Sequence, residues 1–297
     1  FFGCVALSEI KIPANVSKIG DAVFYECSNL TNIEVSETNA YYCSNDGVLF
    51  SKDGTSLIKY PSLKTGEEYI IPKGVTSIEH CAFEGCLGLI DIDVPDSVTS
   101  IGSRAFSGCR RLSSIYIPLG VISIGDGLFL DCSSLVNVVI PDSVTSIGSR
   151  AFSGCHSLSE INIPENVTFI GNNIFSDCIN LTSIVIPANI TNIDNSAFEN
   201  CLSLARIEVS ENNAHYSSED GVLFDKNKTS LILCPAGKKG EYLIPEGVTN
   251  IGDSAFSDCV GLTGIAIPGS VTGIGNYAFG YCTGLTNVVI PDTVTTI

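Results

Sequence analysis

A 23-residue repeat runs through the chain and limits the folds that it can adopt. Its marker is a cysteine at one repeat position, found at residues 4, 27, 86, 109, 132, 155, 178, 201, 259 and 282. Residues 94–109 return as residues 140–155 with one substitution. Each unit has about eight apolar positions, which it cannot bury alone. Neighbouring units must therefore stack on one another, which predicts a solenoid rather than a globule.

The unit at residues 112–132 predicts the elements of each coil. Ile115 and Ile117 alternate in a short strand and share one buried face, and a proline then ends the strand. The Val-x-x-Ile run adds a second extended stretch, and the glycine after it suits a tight bend. The Ala-Phe-x-x-Cys segment predicts one helical or 3₁₀ turn. The predicted fold class is thus a repeat solenoid of 23-residue units with short parallel strands, forming a single domain over residues 1–297.

Two longer intervals hold sequences that resemble each other, and we interpret them as modified, hairpin-containing repeats at about 36–72 and 210–245. In the first, Asp53 and Gly54 lie between two apolar stretches and favour the turn of a β-hairpin. In the second, Lys228 stands where Gly54 does. The second turn is therefore expected to differ from the first.

Both ends of the sequence cut through a repeat. Phe1 is in phase with Phe24, and Ile297 is in phase with Ile147. This predicts that the solenoid is truncated within repeats at both ends. Exposed strand edges there would favour end-to-end self-association.

The consensus CxxLxxIxIPxxVxxIGxxAFxxC resembles the BspA-like, or Treponema-type, leucine-rich repeats over essentially the whole chain, and residues 46–61 resemble interruptions found in that family. Ser36 and Ser210 depart from the pattern where a strand-ending proline is expected, as does Cys234 where the other insert has tyrosine. The resemblance implies a leucine-rich repeat solenoid from a secreted or cell-surface protein of a host-associated bacterium or protist. It also implies an adhesin whose partner is an extracellular protein or glycan, with fibronectin and fibrinogen as examples, or another cell.

The charge balance argues against two classes of partner. The chain has 32 acidic and 15 basic residues, for a net charge of −17. Nucleic-acid binding needs clustered Lys and Arg, and tight attachment to anionic membranes needs them too. No apolar run approaches the roughly 18 residues of a membrane span. We therefore expect no nucleic-acid partner and no direct membrane insertion by this chain.

The thirteen cysteines predict buried thiols rather than disulfides or metal ligands. Ten share one repeat position, which places them about 4.8 Å apart on adjacent coils. Parallel side chains hold their Cβ atoms farther apart than the ~3.8 Å that disulfides prefer. No cysteine pair or histidine has zinc-like spacing, so no metal is expected. Cys43, Cys81 and Cys234 lie outside this ladder. The sequence leaves open whether one of these three thiols is exposed and reactive.

No catalytic constellation is recognisable. The histidines are His80, His156 and His215, and no nucleophile elbow or phosphate loop accompanies them. His156 is equivalent to Arg110 and Ile179, which is typical of a tolerant surface position. Aspartates after the repeat proline predict a solvated acidic surface rather than a calcium site. We expect no enzyme activity and no cofactor.

The outward positions of the predicted strands form the most informative row. It reads Lys11, Glu34, Asp93, Tyr116, Val139, Asn162, Val185, Glu208, Ala266 and Val289. Exposed apolar groups rimmed by polar ones mark partner sites, and aromatic residues anchor them. We predict a contact patch at Tyr116, Val139, Asn162 and Val185. Valine is also a good strand former, so β propensity alone is the alternative explanation for the valines in this row.

Two functions follow from these observations. The first is a non-enzymatic binding module that presents a sheet face to a protein or glycan partner. The alternative is a structural spacer or assembly rod in a larger surface protein. Interaction hot spots on the sheet would favour the first, whereas a face that tolerates substitution would favour the second.

Overall fold

The computed structural model describes all residues from Phe1 to Ile297, and it divides into two compact units, Phe1–His156 and Ser157–Ile297. Within each unit the chain winds into coils of about 23 residues whose strands pair in parallel with strands one repeat away. The repeat solenoid predicted from the sequence is therefore confirmed. That residues 1–297 form a single domain stays a prediction.

The coils carry a short strand of the Leu-x-x-Ile-x-Ile motif, here called a face strand, except the coil at residues 158–163. In the first unit these are β1 (Glu9–Ile12), β2 (Asn32–Val35), β6 (Glu68–Ile70), β8 (Asp91–Asp93), β10 (Ser114–Tyr116) and β12 (Asn137–Val139). In the second unit they are β15 (Ser183–Ile186), β17 (Arg206–Val209), β21 (Gly240–Leu243), β23 (Leu262–Ala266) and β25 (Asn287–Val289). Side chains alternate across these strands, so the isoleucines point into the core and the residue between them points outward.

A second row of two-residue strands follows the Val-x-x-Ile motif, as predicted. In the first unit the row comprises β7 (Ser77–Ile78), β9 (Ser100–Ile101), β11 (Ser123–Ile124) and β13 (Ser146–Ile147). In the second unit it comprises β14 (Phe169–Ile170), β16 (Asn192–Ile193), β22 (Asn250–Ile251) and β24 (Gly273–Ile274). The isoleucine of each strand faces the core, so one coil buries apolar side chains from both of its extended stretches.

Each insert adds three strands. The first contains β3 (Tyr42–Asn45), β4 (Val48–Ser51) and β5 (Ser56–Lys59), and the second contains β18 (Tyr216–Glu219), β19 (Val222–Asp225) and β20 (Ser230–Leu233). The central strand of each set is antiparallel to both neighbours, and the third strand then pairs in parallel with the next coil. The predicted hairpin is present, with left-handed residues at Gly54 and Lys228 in its two turns. The sequence did not predict β3 and β18.

The Ala-Phe-x-x-Cys segment contains no helix, so the predicted helical or 3₁₀ turn is wrong. It forms overlapping β-turns with two left-handed residues four positions apart, such as Arg104 (φ 57°) and Gly108 (φ 71°). A left-handed residue cannot continue a right-handed helix. Alternate amides instead point to the next coil, and Phe106 and Gly108 donate to the carbonyl oxygens of Leu128 and Leu130 at 3.1 and 2.7 Å. We call this row of bonds the turn ladder.

The core of each unit is a stack of identical layers. The rings of Phe83 and Phe106 lie 5.4 Å apart, and those of Phe106 and Phe129 lie 5.6 Å apart. All three side chains are fully buried, and each burial contributes about 1.5–3 kcal/mol. A single coil has no partner ring, so the stacking between coils stabilises the fold.

At Gly148 and Gly275 the repeat glycine permits close stacking rather than a special bend. Gly148 and Gly275 have no positive φ. A Cβ at either position would lie 2.5 Å from the backbone nitrogen of the preceding coil, at Asp126 or Asp253. Only glycine allows the two backbones to come this close without a shift.

Candidate protein-binding face

The two predicted contact residues of the first unit lie side by side. Tyr116 in β10 and Val139 in β12 are partners in the parallel register. They are 49% and 63% exposed, whereas the preceding Ile115 and Val138 are buried. An aromatic ring and an aliphatic side chain are therefore presented together by rigid, paired strands.

The first insert adds an exposed apolar side chain to the same row. Ile70 ends β6, is in register with Asp93 of β8 and is 72% exposed. Sequence reasoning missed Ile70 because it followed the row only through the regular 23-residue units. The signal was present, since Tyr69, Ile71 and Pro72 match the end of the face-strand motif.

A shallow depression of about 500 Å³ lies between the side chains of Ile70 and Tyr116. Ile70, Asp93 and Tyr116 line it, and Lys73 and Asp96 supply charge. Desolvation, followed by the negative charge of Asp96 and a hydrogen bond to its carboxylate, raises the pKa of Tyr116. The phenol therefore stays protonated at neutral pH.

The coil that holds Tyr116 is also unusually apolar outside its strand. Leu119 replaces the aspartate found at Asp96 and Asp142, and Ile122 replaces a threonine. Leu119 and Ile122 are 71% and 63% exposed. Leu119 lies in a turn, where strand propensity cannot explain it. This pattern favours a contact surface over β propensity alone.

Charged residues border the apolar row. Asp91 and Asp93 of β8 are exposed, and Lys11 of β1 pairs with Glu34 of β2 at 2.8 Å. Exposed ion pairs of this kind contribute only about 0–1 kcal/mol to stability. The border therefore influences which partners can approach more than it influences the stability of the coils.

The two predicted contact residues of the second unit lie in different local structures. Val185 in β15 is 55% exposed and is in register with Glu208, whose carboxylate pairs with Arg206 at 3.2 Å. Asn162 is exposed but lies in a segment without strand structure, so its placement on a strand is wrong. The structure does not join Val185 and Asn162 in one sheet.

A different apolar row exists in the second unit. Leu243 of β21 is in register with Ala266 of β23, which is in register with Val289 of β25. Leu243 is 72% exposed and Val289 is 70% exposed. Leu243 was missed for the same reason as Ile70, because it belongs to an insert.

All thirteen cysteines are free, and those on the inner coils form the predicted buried ladder. Buried ladder thiols donate to carbonyl oxygens of the preceding coil, as Cys109 does to Phe83 and Cys132 does to Phe106, both at 3.1 Å. Burial raises the pKa of Cys201 to about 12. These thiols stay protonated and serve packing rather than chemistry.

None of the three cysteines outside the ladder is fully exposed. Cys81 and Cys234 are buried, and Cys43 is half-buried. The Cys43 thiol donates to the Ser51 carbonyl oxygen at 3.2 Å. Burial raises the pKa of Cys81, which lowers its reactivity.

The remaining candidates for chemistry are dispersed. His80, His156 and His215 are all exposed. No group of three or more His, Cys, Asp and Glu side chains is arranged to hold a metal ion. The chain contains no helix of the length and hydrophobicity that crossing a membrane requires.

Comparison with known families identifies the repeat. A family model described as the BspA type leucine rich repeat region matches six copies, over residues 1–48, 59–142, 122–233 and 240–297. No curated protein matches the chain in sequence. The match covers nearly all of both units.

Solved structures that resemble the chain include three bacterial proteins. The pneumococcal vaccine antigen PcpA is 22% identical with a TM-score of 0.67, over 85% of this chain and 68% of that one. A leucine rich cell surface protein of Faecalibacterium prausnitzii is 31% identical with a TM-score of 0.54, over 97% and 62%. A leucine-rich repeat protein of Bacteroides ovatus is 24% identical with a TM-score of 0.57, over 100% and 85%. The chain therefore spans less than two thirds of the length of the Faecalibacterium protein.

Proposed function

Because this chain belongs to the family of BspA-type leucine-rich repeat proteins, we propose that it is a non-enzymatic binding module of a cell-surface or secreted protein. Its partner is a host matrix or plasma protein, a glycan or another cell. The surface location is supported by the 31% identity to a protein described as a leucine rich cell surface protein. The binding role is supported by the exposed, in-register pair of Tyr116 and Val139.

The apolar row of the first unit has the features of an interaction hot spot. Tyr116 supplies a large ring with few rotatable bonds, and Ile70 and Val139 supply aliphatic surface. Such anchors contribute most of the energy of typical protein interfaces. Paired strands hold these side chains before binding, which reduces the conformational entropy lost on association.

The charge of the chain indicates what kind of partner surface fits this row. The net charge is −17, and Asp91, Asp93 and Asp96 lie beside Tyr116 on the adjacent coil. A partner with a basic rim around an apolar centre is complementary. Its association rate should fall as salt rises, because screening weakens steering.

The direct test is binding of the chain to immobilised fibronectin and fibrinogen, measured beside the double variant Tyr116→Glu/Val139→Glu. We expect saturable binding by the wild-type chain and at least a tenfold loss in the variant, because two new carboxylates would be buried at the contact. The matched control is Leu63→Glu/Leu87→Glu, which adds the same charge at two residues of the first unit that are each 48% exposed.

Two results would contradict the proposal. Equal binding by the face variant and the control would show that the strand face is not the contact. Absence of binding to either plasma protein, and to a wider panel of matrix proteins and glycans, would favour the spacer or assembly rod instead.

A further inference from the structure

Each insert interrupts the turn ladder and leaves a cleft between the coil before it and the coil after it. The first cleft, of about 210 Å³, is lined by residues that include Phe24, Lys59 and Cys81. The second cleft, of about 400 Å³, is lined by residues that include Phe198 and Ser257. The two clefts arise from the same backbone interruption, so their side chains can be compared position by position.

A buried lysine lines the first cleft. Lys59 is 3% exposed, and its Nζ donates to the carbonyl oxygens of Cys81 and Glu84 at 3.0 and 3.3 Å. Its charge is balanced by the Glu84 carboxylate at 3.8 Å. Ser62 Oγ also donates to the Glu84 carbonyl oxygen at 2.9 Å. These side chains replace the amide donors of the missing turn.

The opposite wall of the first cleft is also engaged. The amide of Glu26 donates to the Glu84 carboxylate at 3.3 Å. Arg104 reaches Tyr25, with Nη1 3.1 Å from the hydroxyl and the guanidinium 5.8 Å from the ring centroid. Polar groups of the coil before the first insert are therefore bonded to the coils after it.

The second cleft lacks the side-chain donors that Lys59 and Ser62 supply in the first. Leu233 stands in place of Lys59, and Ala236 stands in place of Ser62. The carbonyl oxygen of Ser257, which is equivalent to that of Glu84, accepts no hydrogen bond. A backbone acceptor in this wall is left without the donor that the first cleft supplies.

The facing wall presents unused donors. The backbone amides of Phe198 and Asn200 have no acceptor in the protein, whereas the equivalent backbone amides of Phe106 and Gly108 donate to the next coil at 3.1 and 2.7 Å. Phe198 lines the cleft and is 5% exposed, and Asn200 lies two residues farther along the same turn. The second cleft therefore has a main-chain donor on one wall and a main-chain acceptor, the Ser257 carbonyl oxygen, on the other.

The charge of the second cleft selects a cation. Asp194, Glu199 and Asp258 are among its lining residues, and no Lys, Arg or His is. Phe198 and Leu233 add apolar surface that suits the methylene groups of a lysine stem. In the second cleft, the position equivalent to that of the Lys59 ammonium favours a positive charge. No side chain of the second cleft supplies one there.

We propose that the second cleft docks a short extended segment of a partner protein that carries a lysine. The ammonium donates to the Ser257 carbonyl oxygen, as Lys59 does to Glu84 in the first cleft. The main chain of the segment accepts hydrogen bonds from the amides of Phe198 and Asn200, which is recognition by strand addition. This site is separate from the strand face and does not depend on the function proposed for it.

The test uses the whole chain and a pentapeptide, acetyl-Ala-Ala-Lys-Ala-Ala-amide, followed by amide NMR. We expect the peptide to shift the Phe198 and Asn200 resonances in a saturable manner. The matched peptide with glutamate in place of lysine should bind at least tenfold more weakly. The face variant Tyr116→Glu/Val139→Glu should bind the lysine peptide as the wild-type chain does, which separates this site from the strand face.

Transplanting the ion pair of the first cleft provides the decisive variant. Leu233→Lys/Ser257→Glu places the Lys59–Glu84 pair in the second cleft and should weaken peptide binding at least tenfold, while Leu243→Lys/Val289→Glu, which adds the same two charges at exposed positions outside the cleft, should leave it unchanged. If the double variant does not fold, Glu199→Gln, at an exposed position, should still weaken binding severalfold. No shift at Phe198 and Asn200, or equal responses to the lysine and glutamate peptides, would overturn the proposal.

Discussion

The two inserts show how one backbone interruption can have two outcomes. Their hairpins share the same register, with Asn45 opposite Val48 in one and Glu219 opposite Val222 in the other. The first cleft nevertheless lies beside a buried Lys59–Glu84 ion pair, whereas the second has no such pair and about twice the volume. The repeat fixes where the turn ladder stops. A few side chains around the gap decide whether it is filled.

The largest expected difference comes from removing the lysine. Lys59→Met removes the donor to the Cys81 carbonyl oxygen, one of two donors to the Glu84 carbonyl oxygen and the cation that pairs with the Glu84 carboxylate, and should destabilise the chain by about 3–5 kcal/mol. Leu233→Met, at the equivalent position, should cost under about 1.5 kcal/mol. Urea unfolding followed by circular dichroism measures both. The double variant Lys59→Met/Glu84→Gln should recover part of the loss, and equal costs at Lys59 and Leu233 would break the comparison.

A smaller difference should separate regular coils from a coil that follows an insert. Gly275→Ala brings a Cβ to 2.5 Å from the Asp253 nitrogen, whereas at Gly252 the nearest atom is the Leu231 carbonyl oxygen at 3.1 Å. Overpacking against backbone typically costs about 1–3 kcal/mol, so Gly275→Ala should be the more destabilising change. The first unit already has Glu79 at the position of Gly252. Thermal unfolding of the two variants tests the ranking, which fails if Gly252→Ala is the worse.

Hydrogen exchange should reveal the open cleft directly. The amides of Phe198 and Asn200 have no acceptor, whereas those of Phe106 and Gly108 do. Exchange at the first pair should be about tenfold faster or more, because unprotected amides need less opening to reach solvent. Mass spectrometry or NMR at fixed pH measures the rates. Equal protection at both pairs would mean that the turn ladder continues through the second insert.

The smallest effect concerns the thiol ladder. Cys132 Sγ lies 3.1 Å from the Phe106 carbonyl oxygen, but Cys86 Sγ lies 3.9 Å from that of Tyr60 in the insert coil. Both side chains are buried, so substitution by alanine removes similar volume. Cys132→Ala should be the more costly by about 0.5 kcal/mol, because it also removes the better hydrogen bond. Replicate denaturation curves can resolve this difference, and a reversed order would show that packing around Tyr60 dominates.

The solenoid was predictable because stacking requires the same residues at the same spacing in every coil. The helical turn was predicted wrongly because Ala-Phe-x-x-Cys does not by itself reveal left-handed residues. A clue lay in the residue before each ladder cysteine, which is glycine, aspartate or asparagine in many coils, as at Gly108, Asp131 and Asn200. These residue types tolerate positive φ, so they favour turns over helix.

The candidate sites were less predictable. Tyr116 and Val139 follow from strand alternation, but Ile70 and Leu243 needed the strands inside the inserts to be recognised. Asn162 shows that a repeat position does not guarantee a paired strand. The clefts could not be predicted from the sequence, because they depend on backbone groups without hydrogen-bond partners, and residue types do not reveal these.

The turn ladder also bears on how the chain responds to force. Its bonds join one coil to the next, as the strand pairings do, so a pull that separates coils loads each interface in turn rather than all of them together. Resistance is then set by the weakest interface. In the second unit the interface at the second cleft lacks the turn-ladder bonds of the Phe198 and Asn200 backbone amides, so we expect it to be the weakest. Under tension, the coils should separate there first, and an occupant bound to both walls would resist that separation.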